Sequence, residues 1–213
     1  MSPVRPADTR NSPGLPWLEQ CLYPLDTPIS DLPVEGFLPE HFKRPRPAAV
    51  LLGITREPEP QIVLTLRARH LARHPGQVSF PGGARDVSDS SVIATALRET
   101  REETGIPERA VTPIGYLGRY DTITGYRMTA VVALLEAGLE YRIDRAEVER
   151  VFTVSLADAL DEAKYRCESM RLFGRDLDVL TLEHPEFRIW GATAALLHRF
   201  GRRSRSMMDG AFG

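Results

Sequence analysis

The chain is poor in cysteine, with only Cys21 and Cys167 in 213 residues and no metal-type spacing between them. That excludes a disulfide framework and a thiolate metal site. Neither residue sits in a nucleophile motif, so two reduced thiols in a cytoplasmic protein are the expectation. No apolar run approaches the ~18 residues of a membrane span, and no transmembrane helix is predicted. No apolar stretch follows the N-terminus in the manner of a secretory signal. Net charge is only −2, so charge gives no reason to expect nucleic-acid or membrane binding. Internal repeats and long low-complexity linkers are absent, and the final Ala211-Phe212-Gly213 is not a peroxisomal address. What is present is 42% apolar residues, enough for the core of one elaborated domain or two small ones.

The chain is organised around Gln77 to Ile106. Glu99, Glu102 and Glu103 stand at i, i+3 and i+4, so a helix gathers three carboxylates on one side. Like charges at this spacing repel by roughly 0.2–0.5 kcal/mol per pair, and the favourable Arg98–Glu102 pair does not cancel the crowding. A hard divalent cation would relieve it, because Mg²⁺ takes carboxylate oxygens. The plain alternative is a solvated acidic face. Three neighbouring features favour the cation. Val92, Ile93, Ala96 and Leu97 form an apolar stripe that seats the helix on a core. Gly105 follows where a left-handed cap suits glycine. Upstream, Pro81-Gly82-Gly83 makes a tight turn after the strand-like Gln77 to Phe80, and glycine there lets backbone approach a ligand.

Arg98-Glu99-Thr100-Arg101-Glu102-Glu103-Thr104-Gly105-Ile106 resembles the second half of the Nudix box, G-x5-E-x7-R-E-U-x-E-E-x-G-U. Thr100 departs mildly at an aliphatic slot. Counting forward from Gly83, Arg98 arrives one residue late, which reads as a one-residue insertion with Asp89 in the usual glutamate slot. A second resemblance narrows the branch. Leu64-Thr65-Leu66-Arg67-Ala68-Arg69-His70-Leu71, continuing through His74-Pro75-Gly76-Gln77-Val78-Ser79-Phe80 into Pro81-Gly82-Gly83, is similar to the signature of coenzyme A pyrophosphatases. That branch also carries the longer spacing. Arg119 to Tyr126 resembles a downstream loop of the branch, with Ala130 where a proline is usual. The matches run from about Val63 to Val154.

The resemblance implies a Nudix fold, an α/β/α sandwich around a mixed β-sheet. It implies metal-dependent hydrolysis of the pyrophosphate of coenzyme A or a derivative, giving 3′,5′-ADP and 4′-phosphopantetheine or its acyl form. Another nucleoside diphosphate derivative (a dinucleotide, ADP-ribose, an oxidised nucleotide) is the rival substrate. A non-catalytic ligand sensor is the rival class, disfavoured because all three box glutamates are present and no helix-turn-helix is. Glu99 and Glu103, one turn apart, would share a Mg²⁺ or Mn²⁺. Glu102 would hold a second cation or position water, and a Gly82 or Gly83 carbonyl would complete the shell. Arg98 would orient a box glutamate through a charge-assisted bond. Glu102 and Glu147 compete as general base, Glu147 being the candidate extra carboxylate outside the box, with a surface ion pair as its alternative.

In the order of the chain, 1–47 is proline-rich and reads as a partly ordered arm. In it Trp17, Leu18, Cys21 and Leu22 have the spacing to dock a short helix on the body or on a second subunit, so a homodimer is an open expectation. The catalytic domain is expected at 48–201. Ala48 to Ile54 and Gln61 to Arg67 read as a hairpin across the turn Glu57 to Pro60. Arg67, Arg69, His70, Arg73 and His74 cluster before the glycine turn, either as a solvated basic loop or as phosphate recognition; the family resemblance implies Arg67 and Arg69 as the substrate-side candidates. Val111 to Tyr120 and Met128 to Leu135 read as strands joined by a loop overhanging the site, where Tyr126 stacks on a base or packs in the core. Asp144 to Arg150 reads as a turn or short helix, Val151 to Leu156 as a strand and Ala157 to Ala163 as a short helix. Lys164 to Phe173 and Leu177 to Leu182 read as a hairpin, and Ala192 to Phe200 as the last helix. The basic residues 202–213 are expected to be a solvated, disordered tail. The ligand is a small molecule, with no nucleic acid and no membrane.

Overall fold

A computed structural model describes residues 15, 17–172 and 174–210. The central element is an eight-stranded mixed sheet. Its strands are β1 (Val34–Gly36), β2 (Arg46–Thr55), β3 (Gln61–Arg67), β4 (Val78–Ser79), β5 (Gly82–Ala84), β6 (Val111–Asp121), β7 (Tyr126–Leu135) and β8 (Val148–Ser155). The order is β1-β6-β7-β2-β3-β4, with β5 on β2 and β8 on β3. β1–β6 and β2–β7 are parallel and the other pairs antiparallel.

Period-two alternation divides the core. Val50, Leu52 and Ile54 of β2, with Ala130, Val132 and Leu134 of β7, face one side. Ala49 and Leu51, with Val131, Ala133 and Leu135, face the other. Both faces are covered, so these strands read as unbroken apolar runs. α1 (Val92–Thr104) packs on the second face through Ala96. Ser91 Oγ accepts from the Ala94 N–H, and Gly105 closes the helix at φ 74°; a polar cap of this kind stabilises by about 1 kcal/mol. The first face carries α2 (Leu156–Leu160), α3 (Gly191–Gly210) and a small sheet of β9 (Tyr165–Leu172), β10 (Arg175–Leu182) and β11 (Ile189–Trp190). Leu197 and Phe200 of α3 are fully buried there, each contributing roughly 1.5–3 kcal/mol. No helix among the described residues is long and apolar enough to cross a membrane.

The short helix of the arm packs on the body, one of the two placements expected for it: Leu18 and Cys21 are buried in this chain's own core, and β1 extends the sheet beside β6. Three other expectations need correcting. The basic tail is helical as far as Gly210, because its charges find partners. The Arg203 guanidinium donates to the Cys21 carbonyl and the Tyr23 hydroxyl, and Arg205 donates to the Leu160 carbonyl. The hairpin of β2 and β3 is barely one: only Ile54 and Ile62 pair. Toward its start β2 instead pairs with β5 through Ala48, Ala49 and Val50. The two strands therefore diverge, and the glycine turn enters the wedge between them. The strand expected from Val151 also begins earlier, at Val148.

Candidate functional site

The wedge is where the acids meet. Glu99 and Glu103 on α1 and Glu147 on the turn before β8 bring carboxylate oxygens within 4.8 Å of one another. Helix geometry explains which box acids take part. Residues four apart sit nearly in line, whereas Glu102 lies about 60° round the helix from Glu99 on the side away from Glu103. Glu102 is half-exposed and bonded to Arg98 instead. It stands at the rim, outside the three-carboxylate group. Glu147 is placed by backbone: its N–H donates to the Asp144 carbonyl, and its own carbonyl accepts from the Ala68 N–H.

The glycines fit the acids closely. A Cβ on Gly83 would stand 2.6 Å from the Glu99 carboxylate. The Gly82 N–H donates to Glu103 Oε2 at 3.0 Å, so this turn contributes an amide to an acid as well as the carbonyls expected of it. Glu103 is 2% exposed, with the Arg67 guanidinium 3.6 Å away. Its carboxyl is pushed up to about 8, chiefly by loss of water; the Gly82 N–H and Arg67 oppose the rise and the Glu99 and Glu147 charges add to it. Burial raises Glu99 as well, opposed by Arg98. Three carboxylates this close carry more negative charge than the Arg67 and Arg98 guanidiniums beside Glu103 and Glu99 offset, Arg98 being shared with Asp89 and Glu102, and so they fit a divalent cation. The donor set is all oxygen, as Mg²⁺ or Mn²⁺ requires.

Arg98 is the bracket of the site. Its Nε and Nη2 fork onto the two Asp89 oxygens at 2.9 Å each. Nη1 reaches Glu99 at 2.9 Å and Glu102 at 3.0 Å, and Nη2 also reaches the Ala84 carbonyl at 3.3 Å. The guanidinium hydrogen bonds hold the Asp89 carboxyl well below the usual range. Asp89 further accepts from the Asp86 N–H. The extra residue in the loop is thereby absorbed into a turn whose carboxylate grips the box arginine.

The site opens into a cleft of ≈ 1210 Å³ that runs between the sheet, β10 and α3. Arg67, Gly83, Glu99, Tyr126 and Glu147 line it. Arg69 does not: it is 81% exposed and pairs with Glu149. The expectation that Arg67 and Arg69 are both substrate-side came from the family resemblance; β3 ends at Arg67 with a bulge, and Arg69 lies beyond it. Tyr126 is neither a free platform nor core. Its hydroxyl accepts from Arg46 at 3.2 Å and Arg73 at 3.0 Å, and Arg46 lies over its ring. Arg46 was hidden in the proline-rich arm, and only the Arg46–Tyr126 register of β2 with β7 brings it here. His74, at φ 55°, is within bonding distance of Gln77 and Thr124 and ties the basic loop to the overhanging one.

The family model for the NUDIX domain matches residues 44–173. A curated relative from Escherichia coli O1:K1 / APEC, the uncharacterized Nudix hydrolase NudL, is 44% identical over 152 residues, spanning 71% of this chain and 79% of its own length. NudL of Shigella boydii serotype 18 matches with the same figures. Among solved structures, an Ap4A hydrolase binary complex from C. elegans aligns with a TM-score of 0.46 at 19% identity, over 53% of this chain and 83% of that one.

Proposed function

The chain belongs to the NUDIX family and is a pyrophosphohydrolase, and from this premise we propose that its substrate is coenzyme A or a derivative, cut to 3′,5′-ADP and 4′-phosphopantetheine. The observation that carries the reading is the convergence of Glu99, Glu103 and Glu147 at the wall of a long cleft. The run from Leu64 to Phe80, which forms β3, the basic loop and β4, points to coenzyme A rather than another nucleoside diphosphate.

Glu99 and Glu103 would hold Mg²⁺ or Mn²⁺ with Glu147. The cation supplies neutralisation of phosphate charge and acidification of a bound water. Arg98, held by Asp89, fixes the Glu99 carboxylate so that it does not swing when the site fills. Arg67 and Arg73 line the cleft beside the acids and meet the pyrophosphate oxygens. Glu147, exposed and outside the helix, takes the proton of the attacking water; Glu102 at the rim serves Arg98.

The test is incubation with coenzyme A and Mg²⁺ in ¹⁸O-labelled water, with products resolved by mass spectrometry and Glu103→Gln alongside. 3′,5′-ADP and phosphopantetheine from the wild type alone support the reading. Intact coenzyme A with other nucleoside diphosphates cut overturns the substrate. Wild-type turnover by Glu103→Gln overturns the role of that acid.

A further inference from the structure

The far end of the cleft carries the opposite charge. Arg199, Arg202 and Arg203 stand at i, i+3 and i+4 on α3, and all three line the cleft. Arg199 is buried, 8% exposed at its side chain. Its guanidinium lies on the backbone of Gly118, where a Cβ would come within 2.6 Å of Nη2. Glycine at φ 125° therefore makes the room the arginine occupies. Nη1 donates to the Arg119 carbonyl at 3.3 Å, and Nε faces Glu35 at 3.3 Å. Glu35 is itself more than half exposed, so it compensates the charge only weakly. Arg203 is engaged by Tyr23, whose ring lies 4.3 Å from the guanidinium carbon. Arg202 is exposed toward the cleft. Asp178 of β10 and Asp121 of β6 also line the cleft, the latter paired with Arg127.

Strand register measures the separation. Glu35 pairs with Tyr120, Tyr120 with Met128, Met128 with Ala48 and Ala48 with Ala84. Ala84 adjoins Gly83, against which Glu99 packs. Four strand spacings of about 4.8 Å place Glu35 on the order of 19 Å from the glycine turn. Between the two ends the cleft is lined by Val50, Met128, Tyr120, Val179 and Leu196. A phosphopantetheine arm is an amide chain of about thirteen bonds from phosphorus to sulfur. At three bonds per residue length of about 3.6 Å it reaches roughly 15 Å when extended. A small acyl group on its sulfur adds the remainder.

We infer that Arg199 and Arg202 form an anion subsite that recognises a second negative group of the substrate, remote from the scissile pyrophosphate. The reach favours a carboxylate ending a short acyl thioester. A phosphomonoester on the nucleotide is the other source of the same chemistry. The inference rests on the proposed coenzyme A reading.

The experiment compares kcat/KM for succinyl against acetyl thioesters of coenzyme A, and for coenzyme A against its 3′-dephospho form. The proteins are wild type, Arg202→Gln, Arg199→Gln and Glu35→Gln. Charge-assisted hydrogen bonds in a partly dry cleft predict about a tenfold loss of the succinyl preference in Arg202→Gln and a gain in Glu35→Gln, which releases Arg199. If instead the preference for the 3′-phosphate falls, the subsite reads the nucleotide. If neither ratio moves in Arg202→Gln or Glu35→Gln, the inference is overturned; these exposed positions keep the test valid where Arg199→Gln misfolds. Calorimetric binding of the same four ligands to metal-free protein is the second readout. A wild type that cuts none of them sinks the coenzyme A reading, and the binding ratios then decide the subsite alone.

Discussion

Replacing Glu103 by glutamine should make the metal-free protein more stable at alkaline pH. Glu103 is buried beside Glu99 and Glu147, and its carboxyl is raised from 4.5 to about 8, mostly by desolvation. A group whose folded pKa lies above its unfolded value binds more protons when folded. Its stabilising contribution is complete below pH 4.5 and is lost as pH rises through 8. At about 1.4 kcal/mol per unit, the gap gives an upper bound on the order of 5 kcal/mol, and relaxation of the site reduces this to a few. Glutamine keeps the shape and still accepts from the Gly82 N–H, but never charges. The assay is urea unfolding by tryptophan fluorescence at pH 5 and pH 8.5 in EDTA, for wild type and Glu103→Gln. Titrating groups remote from the three acids cancel in the difference. The variant should match the wild type at pH 5 and exceed it by about 2–4 kcal/mol at pH 8.5. Saturating Mg²⁺ should reverse the order, since it binds the folded wild type. A variant equally destabilised at both pH values in EDTA would refute the electrostatic account of this site.

Three further outcomes follow from the same geometry. Gly83→Ala puts a methyl 2.6 Å from the Glu99 carboxylate, so kcat should fall at least tenfold while the urea midpoint moves little, β5 being a three-residue edge element. Asp89→Asn removes the charge that holds Arg98; loss of a buried, forked ion pair should cost about 3 kcal/mol, read by thermal melting, and should raise the Mg²⁺ concentration for half-maximal activity. Glu147→Gln should weaken Mn²⁺ binding, measured by calorimetry, by roughly tenfold while leaving stability within about 0.5 kcal/mol, as for an exposed turn residue.

The sequence made α1 legible because its signals are local. The apolar period, Gly105 and the carboxylate spacing all lie within fifteen residues or so, and the one-residue insertion put Asp89 in the usual glutamate slot. The failures are non-local. Arg69 was placed by resemblance to the family signature, but the strand ends at a bulge at Leu66–Arg67 and Arg69 turns out to pair with Glu149. The basic run Arg202 to Arg205 read as a solvated tail because its partners, the Cys21 and Leu160 carbonyls, lie 182 and 45 residues away. Glu147 was named from what the family often recruits. Only the pairing of β3 with β8, Arg67 opposite Val148, brings it to the box acids. Glu102 was grouped with Glu99 and Glu103 on one face, whereas i+3 and i+4 diverge about the axis and leave it outside the three-carboxylate group.

Local rules are broken at several points in this molecule, and the breaks converge. Glu103 is a buried carboxyl held against two others. His74 takes the left-handed conformation that non-glycine residues avoid. Arg67 Nε is buried without a hydrogen-bond partner among the described residues. Each costs stability on the order of 1–3 kcal/mol, and no packing gain at those positions offsets it. Arg67 and His74 line the same cleft, and Glu103 stands behind its acid wall. The compensation lies elsewhere, in the doubly covered strands β2 and β7 and in the capped, core-seated α1. A fold that concentrates its unfavourable groups around one cavity, and anchors them on its most stable elements, has a charged and reactive ligand to accommodate there. That argument is independent of the box motif, since neither His74 nor Arg67 belongs to it.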